Sequence, residues 1–288
     1  MLYTVFGDIF MNKKFLKTII TTFVVALLGV LCALFLRGCF NKTPEPEQPE
    51  APQDTEQNTS APQLSYEEQI GVFYKNDISG ALGFIEPENK YEYVFLVGPN
   101  NKLEADYEPA DLTDCGYTRQ DGRATQKLRK AAAEALKAFL NEGKQCGVTD
   151  VTVTSAYRSY SYQDYLFNMY FDRDWKSGKF KTKAECEAYT LSYSTKPGTS
   201  EHQSGLCVDM HNLPSAEQSF AQEPEAKWLA ENCYRFGFIL RYPENKTNIT
   251  GITYEPWHFR FVGRAAATEM HNLGLTLEEY IEYINVDN

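Results

Sequence analysis

Two short segments of this 288-residue chain carry side chains that could bind and use a divalent metal. The first runs from Gly198 to Met210 and places His202 and Asp209 on either side of Gly205, where the backbone can turn. The second segment, Glu255–His258, follows later in the chain. Together they supply two imidazoles, one carboxylate ligand and one spare carboxylate, which is the composition of a catalytic zinc site with an open position.

The local structure predicted around these residues would direct them to one place. The apolar run Leu206–Val208 predicts a short buried strand that carries Asp209. A carboxylate on such a strand is costly unless something neutralises it, and a metal ion is one solution. Pro256 is incompatible with a regular helix or a central strand position, so a turn or bulge must direct Glu255 and His258 towards the metal.

Hydrophobic periodicity predicts interleaved helices and strands along the rest of the chain. We therefore expect an α+β fold in which helices flank a small antiparallel sheet that carries a single zinc site. Gly143 is expected to end the helix before it, and Thr276 to cap the last helix. The predicted helices are 126–141, 160–171, 226–233 and 277–284, and the predicted strands are 91–97, 148–154, 237–242 and 256–262.

The N-terminal residues are typical of a membrane anchor. An uncharged, largely apolar run at 18–36 follows a basic cluster that includes Lys13, Lys14 and Lys17. As a transmembrane helix this run would extend about 28 Å, close to the thickness of a bilayer core. The lysines predict that residues 1–17 are cytoplasmic and that the remainder is exported. A cleaved signal peptide, a lipid anchor at Cys39 and a start at Met11 are alternatives that the sequence leaves open.

Composition separates a linker from a folded domain. Residues 41–64 contain five prolines and almost no apolar side chains, so we expect an extended spacer. Residues 65–92 are expected to form either a cap or an extra strand, and residues 93–288 the zinc-binding domain.

The net charge of −11 excludes the basic surface that a nucleic-acid-binding protein needs. None of the seven cysteines forms a CxxC pair, and Cys207 is expected to be a small buried hydrophobe.

Several motifs resemble the VanY-type D-alanyl-D-alanine carboxypeptidases, zinc peptidases related to the lysostaphin and hedgehog-like folds. The similarity extends from about residue 93 to 283, in the order and spacing of that family. The motifs that carry it are Ser155–Ser159, Ser200–Gly205, Val208–Asp209 and Glu255–Arg260. Any one of these residues alone would more often be an ordinary core residue, so the shared spacing carries the resemblance.

The resemblance implies a role for each residue of the metal site. His202, Asp209 and His258 would bind one Zn²⁺ per chain, with a fourth position left for water. Glu255 would act as the general base that takes the proton of that water. His211 lies two residues beyond Asp209 and is the rival ligand, which we place instead at the rim of the site or behind the ligands.

The resemblance also implies residues that contact the substrate. Arg158 would stabilise the oxyanion or bind a terminal carboxylate. Gln163 and Ser200 match positions that bind the C-terminal end of the substrate. Each of these three could instead have a purely structural role, such as an ion pair or a hydrogen bond. Glu201 is expected to point away from the metal site although its neighbour His202 is a ligand.

The predicted protein is a single-pass membrane enzyme of a bacterium, with its catalytic domain facing the cell wall. It would remove the C-terminal D-Ala from peptidoglycan stem peptides. An L,D-carboxypeptidase acting on tetrapeptide stems is the first alternative, followed by an endopeptidase and a non-catalytic wall-binding module. A carboxypeptidase is favoured over an endopeptidase by Arg158, Gln163 and Ser200, because a carboxypeptidase must bind a free carboxylate. The presence of every expected ligand and of Glu255 argues against the non-catalytic module. The sequence predicts no nucleic-acid partner and leaves the oligomeric state open.

Overall fold

The computed structural model describes residues 74–286. The helices are α1 (Ser79–Ile85), α2 (Lys130–Gln145), α3 (Tyr160–Lys176), α4 (Lys183–Leu191), α5 (Pro224–Asn232), α6 (Thr247–Thr250), α7 (Arg264–Leu273) and α8 (Leu277–Val286). The strands are β1 (Leu112–Asp114), β2 (Lys127–Arg129), β3 (Thr152–Ser155), β4 (Cys207–His211), β5 (Phe238–Leu240) and β6 (His258–Phe261). Short 3₁₀ turns lie at Glu201–Ser204, Gln218–Gln222, Cys233–Phe236 and Glu244–Lys246. These elements confirm the predicted α+β class.

The larger of two antiparallel sheets brings the two predicted metal-binding segments together. Its strand order is β3-β4-β6-β5, while β1 and β2 form a separate two-stranded sheet. β6 is the last strand in the sequence, yet it lies between β4 and β5. In this register Asp209 of β4 lies opposite His258 of β6.

One face of the larger sheet packs against α2 and forms the core. The ring of Phe139, on α2, lies 6.1 Å from that of Phe238 and 6.4 Å from that of Phe259, between centroids. Phe259 of β6 and Val208 of β4 are fully buried. Successive residues of a strand point to opposite faces, so the polar residues that alternate with these two lie on the other face.

Residues 91–97 do not form the predicted strand. They form a turn followed by irregular chain. The guanidinium of Arg260 donates hydrogen bonds to the carbonyl oxygens of Tyr93 and Phe95, at 3.2 and 3.1 Å. A buried side chain thus satisfies backbone groups that a strand would pair with its neighbour. Tyr93 and Val97 are nevertheless buried, so the apolar composition of this segment reflects burial. The described part of segment 65–92 contains the helix α1.

The helix predicted at 126–141 is displaced towards the C-terminus. It begins at Lys130 and ends at Gln145, with Gly143 inside it. Gly143 does not end the helix because its role is close packing: a Cβ there would lie 3.1 Å from Cζ3 of Trp228 on α5. The left-handed residue that follows the helix is Gly147, with φ of +95°.

The remaining predicted elements are present with shifted ends. The helix predicted at 160–171 continues to Lys176, and the strand predicted at 148–154 is reduced to Thr152–Ser155. The Thr276 cap is confirmed, since its hydroxyl accepts from the Glu279 N–H at 3.3 Å and the Glu279 carboxylate accepts from the Thr276 N–H at 2.8 Å. α4, α6, α7 and β1 have no counterpart among the predicted elements, and β2 is a strand at the start of the helix predicted at 126–141.

The predicted anchor at 18–36 and spacer at 41–64 lie outside the described residues. Across residues 74–286, no helix combines the length and apolar character needed to cross a bilayer.

Candidate metal centre and active site

The three predicted metal ligands meet at the polar face of the larger sheet. Asp209 lies between the two histidines, with Oδ1 2.9 Å from Nδ1 of His258 and Oδ2 3.3 Å from Nε2 of His202. Both imidazoles are buried. The structure therefore brings together the residues that the sequence separates.

His202 lies on the 3₁₀ turn that precedes β4. Its Nδ1 lies 2.6 Å from the carbonyl oxygen of Ala156, which assigns the proton to Nδ1 and leaves Nε2 as the acceptor nitrogen facing Asp209. Gly205 follows with φ of +69°, and a Cβ there would lie 3.0 Å from Cδ2 of Leu112. Glycine is favoured at this position because a side chain would strain the backbone and crowd Leu112.

Glu255 lies on the predicted turn, immediately before β6. Its backbone N–H donates to the carbonyl oxygen of Tyr242, and its Oε2 lies 3.8 Å from Nδ1 of His258. Burial raises the pKa of Glu255 to about 7, and the nearby Asp209 also acts to raise it. A carboxyl group whose pKa is near neutrality is suited to general base catalysis.

Cys207 is a further donor near this centre. One ligand atom each from His202, Cys207 and His258 lies within 4.8 Å of the others. Burial alone would raise the pKa of the Cys207 thiol, but the two imidazoles lower it to about 7. The predicted role as a small buried hydrophobe is therefore incomplete, because the thiol lies on the same face of β4 as Asp209.

The arrangement of these donors fits a zinc ion. Nε2 of His202 and Nδ1 of His258 each face the Asp209 carboxylate, and imidazole and carboxylate are common zinc ligands. Burial opposes ionisation of Asp209, but the two histidines hold its pKa well below its usual range. The carboxylate is therefore in the anionic form that a metal needs.

Arg158 lies beside the centre. Its backbone N–H donates to the carbonyl oxygen of His202 at 3.2 Å, and its positive charge acts on both His202 and Glu255. The Nε atom of Arg158 is buried without a hydrogen-bond partner. A buried donor without a partner is costly, and an anionic ligand would satisfy it.

Gln163 and Ser200 are both buried. The Gln163 Nε2 donates to the carbonyl oxygen of Thr195 at 2.7 Å, whereas its Oε1 has no partner. The free atom of this amide is thus an acceptor, and binding a carboxylate would require the amide to reverse. Ser200 immediately precedes the turn that carries His202. The substrate contacts of Gln163 and Ser200 remain predictions.

His211 belongs to a different set of contacts. It is buried at the far end of β4, where its Nδ1 lies 3.3 Å from the Arg119 guanidinium. Its ring packs against Phe220 at 6.1 Å between centroids. Burial, assisted by the charge of Arg119, lowers the pKa of His211 to about 4.

A buried ionic cluster behind the metal site is absent from the sequence-based expectations. Glu201 lies between Arg241 and Arg260, with its Oε1 2.9 Å from Nε of Arg241 and 3.2 Å from a terminal nitrogen of Arg260. Burial alone would raise the pKa of Glu201, but the two guanidiniums lower it well below its usual range. The sequence contains one indication of this cluster. Arg260 lies two residues after His258 on a strand whose other residues are apolar, so the Arg260 guanidinium needs a buried partner.

Comparison with known proteins gives a consistent assignment. The profile of the VanY D-alanyl-D-alanine carboxypeptidase family matches residues 125–264. YodJ of Bacillus subtilis (strain 168), whose name assigns it provisionally to the carboxypeptidases, is 36% identical over 79% of this chain and 79% of its own length. A D-alanyl-D-alanine carboxypeptidase of Enterococcus faecium is 34% identical over 54% of this chain, which corresponds to 45% of that protein.

Three solved structures share the fold at 34% sequence identity. VanYB in complex with D-alanine-D-alanine aligns over 66% of this chain and 97% of that one, with a TM-score of 0.56. The LD-carboxypeptidase LdcB aligns over 68% and 88%, with a TM-score of 0.57. A D,D-pentapeptidase VanY mutant in complex with Zn(II) aligns over 66% and 98%, with a TM-score of 0.55. This chain belongs to the VanY D-alanyl-D-alanine carboxypeptidase family of zinc-dependent peptidases.

Proposed function

We propose that this protein is a zinc-dependent carboxypeptidase that removes the C-terminal D-Ala from peptidoglycan stem peptides ending in D-Ala-D-Ala. The observation that carries the proposal is the convergence of His202, Asp209 and His258 beside the buried side chain of Glu255. A VanY relative that binds D-alanine-D-alanine and shares the fold supports the choice of substrate.

Each residue of the site has a distinct task in this reaction. His202, Asp209 and His258 would hold the zinc ion, which when bound supplies a positive charge that polarises the scissile carbonyl and acidifies water. Glu255 accepts a proton from the attacking water and returns it to the amine of the departing D-Ala. Arg158 uses its unpartnered Nε–H to bind the developing oxyanion or the terminal carboxylate.

A second candidate is L,D-carboxypeptidase activity on tetrapeptide stems that end in a single D-Ala. The LD-carboxypeptidase LdcB is as similar to this chain as VanYB, with 34% identity in both cases. The substrates of the two activities differ in the residue before the scissile bond. The shape of the pocket that binds this residue, rather than the metal site, would distinguish them. The D,D activity is our first choice because the matching family profile carries that name.

The proposal includes attachment to the membrane. The apolar run at 18–36 would anchor the chain, and residues 41–64 would extend the enzyme towards the cell wall. The basic residues before the run support an exported catalytic domain.

The decisive test uses the full-length protein, purified in detergent and loaded with zinc. It is given a pentapeptide ending in D-Ala-D-Ala or a tetrapeptide ending in one D-Ala, and released D-alanine is followed by mass spectrometry. Release from the pentapeptide is expected. Release from the tetrapeptide alone would assign the L,D activity. If a zinc-bound protein releases D-alanine from neither substrate, both carboxypeptidase activities are contradicted, and an endopeptidase or a binding module becomes the better interpretation.

A further inference from the structure

Glu201 reaches the rear edge of a metal ligand on another strand. It precedes His202 in the sequence, but its side chain extends towards β6, where its Oε2 lies 3.9 Å from Nε2 of His258. Only 3% of the residue is exposed, which leaves no room for bulk water between the two groups. The expectation that Glu201 points away from the metal site therefore misses this contact with a ligand.

The two nitrogens of His258 face different partners. Nδ1 lies 2.9 Å from the Asp209 carboxylate and 3.8 Å from that of Glu255, so this nitrogen faces the metal site. Nε2, on the other side of the ring, faces Glu201. Both Nε2 of His258 and Oε2 of Glu201 are buried without a hydrogen-bond partner. Two unpartnered polar atoms that face each other in a buried site can satisfy each other after a shift of about 1 Å.

We infer that Glu201 is a positioning residue whose Oε2 accepts the Nε2–H of His258 and thereby keeps the lone pair of Nδ1 directed at the metal. A neutral imidazole carries one proton, and an acceptor at one nitrogen fixes which nitrogen carries it. A carboxylate behind a ligating histidine also fixes the ring orientation and increases the basicity of the ligand. The inference rests on the proposed zinc site and assigns Glu201 a task within it.

Glu201 is held in position by groups that are themselves fixed. Its Oε1 accepts from Arg241 at 2.9 Å, and Arg241 also binds both carboxylate oxygens of Glu278, at 2.9 and 2.6 Å. The second guanidinium, that of Arg260, is fully buried and donates to three backbone carbonyls. A carboxylate held on one edge by two fixed cations can present its other oxygen in a constant place.

The alternative is that Glu201 only neutralises the two buried arginines. In that case its removal would lower the stability of the protein, because it leaves uncompensated buried charge, and would leave the zinc affinity of the folded protein unchanged. A positioning role changes the zinc affinity and the spectroscopic state of His258. These readouts separate the two roles.

The first experiment needs no variant and uses the wild-type protein loaded with zinc. Nitrogen-15 NMR of the histidine side chains should show His258 with a metal-bound Nδ1 and a protonated, slowly exchanging Nε2–H. A metal-bound Nε2, or an Nε2–H that exchanges as rapidly as that of an exposed histidine, would overturn the inference. If the wild-type protein binds no zinc, the proposed function fails along with it.

The second experiment compares Glu201→Gln with a matched control, Glu278→Gln. Both substitutions remove a carboxylate that pairs with Arg241, but only the first removes one that faces His258. Competition with a chelating dye should show zinc affinity reduced about 10- to 100-fold in Glu201→Gln and by a clearly smaller factor in Glu278→Gln, which reaches His258 only through Arg241 and Glu201. Unchanged zinc affinity in a folded Glu201→Gln protein would overturn the inference while leaving the proposed function intact. If that variant does not fold, the NMR result on the wild-type protein decides.

Discussion

At the residue scale, the proposed proton transfer depends on the side chain of Glu255. The substitution Glu255→Gln keeps its size but removes the group that accepts the proton. We expect kcat to fall by about 10²- to 10⁴-fold, the usual contribution of general base catalysis, with the zinc content unchanged.

The matched control for this substitution is Glu244→Gln. Glu244 is an exposed glutamate in the same connection between β5 and β6. Its kcat should equal that of the wild-type protein. Activity in Glu255→Gln comparable to the control would show that another group takes the proton. D-Alanine release and bound zinc, measured on the same samples, separate loss of chemistry from loss of metal.

The position of Arg158 leads to a prediction about how the C-terminal end of the substrate is recognised. If its guanidinium binds the terminal carboxylate, the wild-type enzyme should cleave a peptide acid much faster than the corresponding peptide amide. Arg158→Ala should reduce kcat/KM for the acid by about 10- to 100-fold and reduce the preference for acid over amide, since a charged hydrogen bond is lost. A variant that retains the wild-type preference would instead assign Arg158 to the oxyanion.

The limits of sequence-based prediction at this scale concern side-chain direction. His202, Asp209, His258 and Glu255 could be proposed as site residues because their types and spacing match a known pattern of metal chemistry, and the structure brings them close together. Glu201 could not be assigned in the same way, since its partners are Arg241, which follows β5, and Arg260 and His258 of β6. Their approach depends on strand order, which local sequence does not encode.

At the scale of an element, Gly237 allows the turn before β5 to pack closely against its neighbours. It joins the 3₁₀ turn Cys233–Phe236 to β5 with φ of +80°, and a Cβ would lie 2.7 Å from Cε2 of Phe261 and 3.0 Å from the Arg264 nitrogen. Gly237→Ala should lower the free energy of unfolding by about 2–4 kcal/mol through backbone strain and overpacking.

Gly251 provides the control for this substitution. Its φ of +74° is similar, but nothing lies within 4 Å of the position of a Cβ. Gly251→Ala should therefore cost only the backbone strain, about 1–2 kcal/mol. Urea unfolding of both variants measures the difference. Equal losses would show that the structure relaxes around the new methyl group at Gly237.

Helix and strand types were easier to predict than their ends. The glycine at 143 suggested a helix end, yet it allows close approach of Trp228, and a pattern of glycines cannot distinguish these roles. The run at 91–97 has strand composition, but the carbonyls of Tyr93 and Phe95 are bound by Arg260, which is distant in sequence. In both cases a tertiary contact overrides a local preference.

His211 makes the stability of the whole molecule depend on pH. Its pKa is about 4 in the folded protein and about 6.5 in an unfolded chain, so the unfolded state binds more protons between these values. The associated stability is fully present above pH 6.5 and is lost as the pH falls towards 4. Arg119 and Arg123 add to the depression of this pKa, and Asp209 opposes it.

The contribution of His211 can be measured by comparing the wild-type protein with His211→Gln. The free energy of unfolding of the wild type should fall between pH 7.5 and pH 5 by about 2 kcal/mol more than that of the variant. Urea titrations at both pH values give this difference directly, because other titrating groups affect both proteins. The same pH dependence in the two proteins would place the folded pKa of His211 near its ordinary value.

The position of β6 in the sheet connects metal uptake with the order of folding. Asp209 and His258 are 49 residues apart in the sequence and become neighbours only when the last strand inserts between β4 and β5. The unfolded chain has no preformed site, so the free energy of zinc binding contributes to closing the sheet. Contacts so distant in sequence form slowly, and a newly made chain would stay inactive until this strand is seated. A chelator should therefore weaken the protection of β6, and the backbone amides of His258–Phe261 should exchange with solvent faster in the metal-free protein than in the zinc-bound protein.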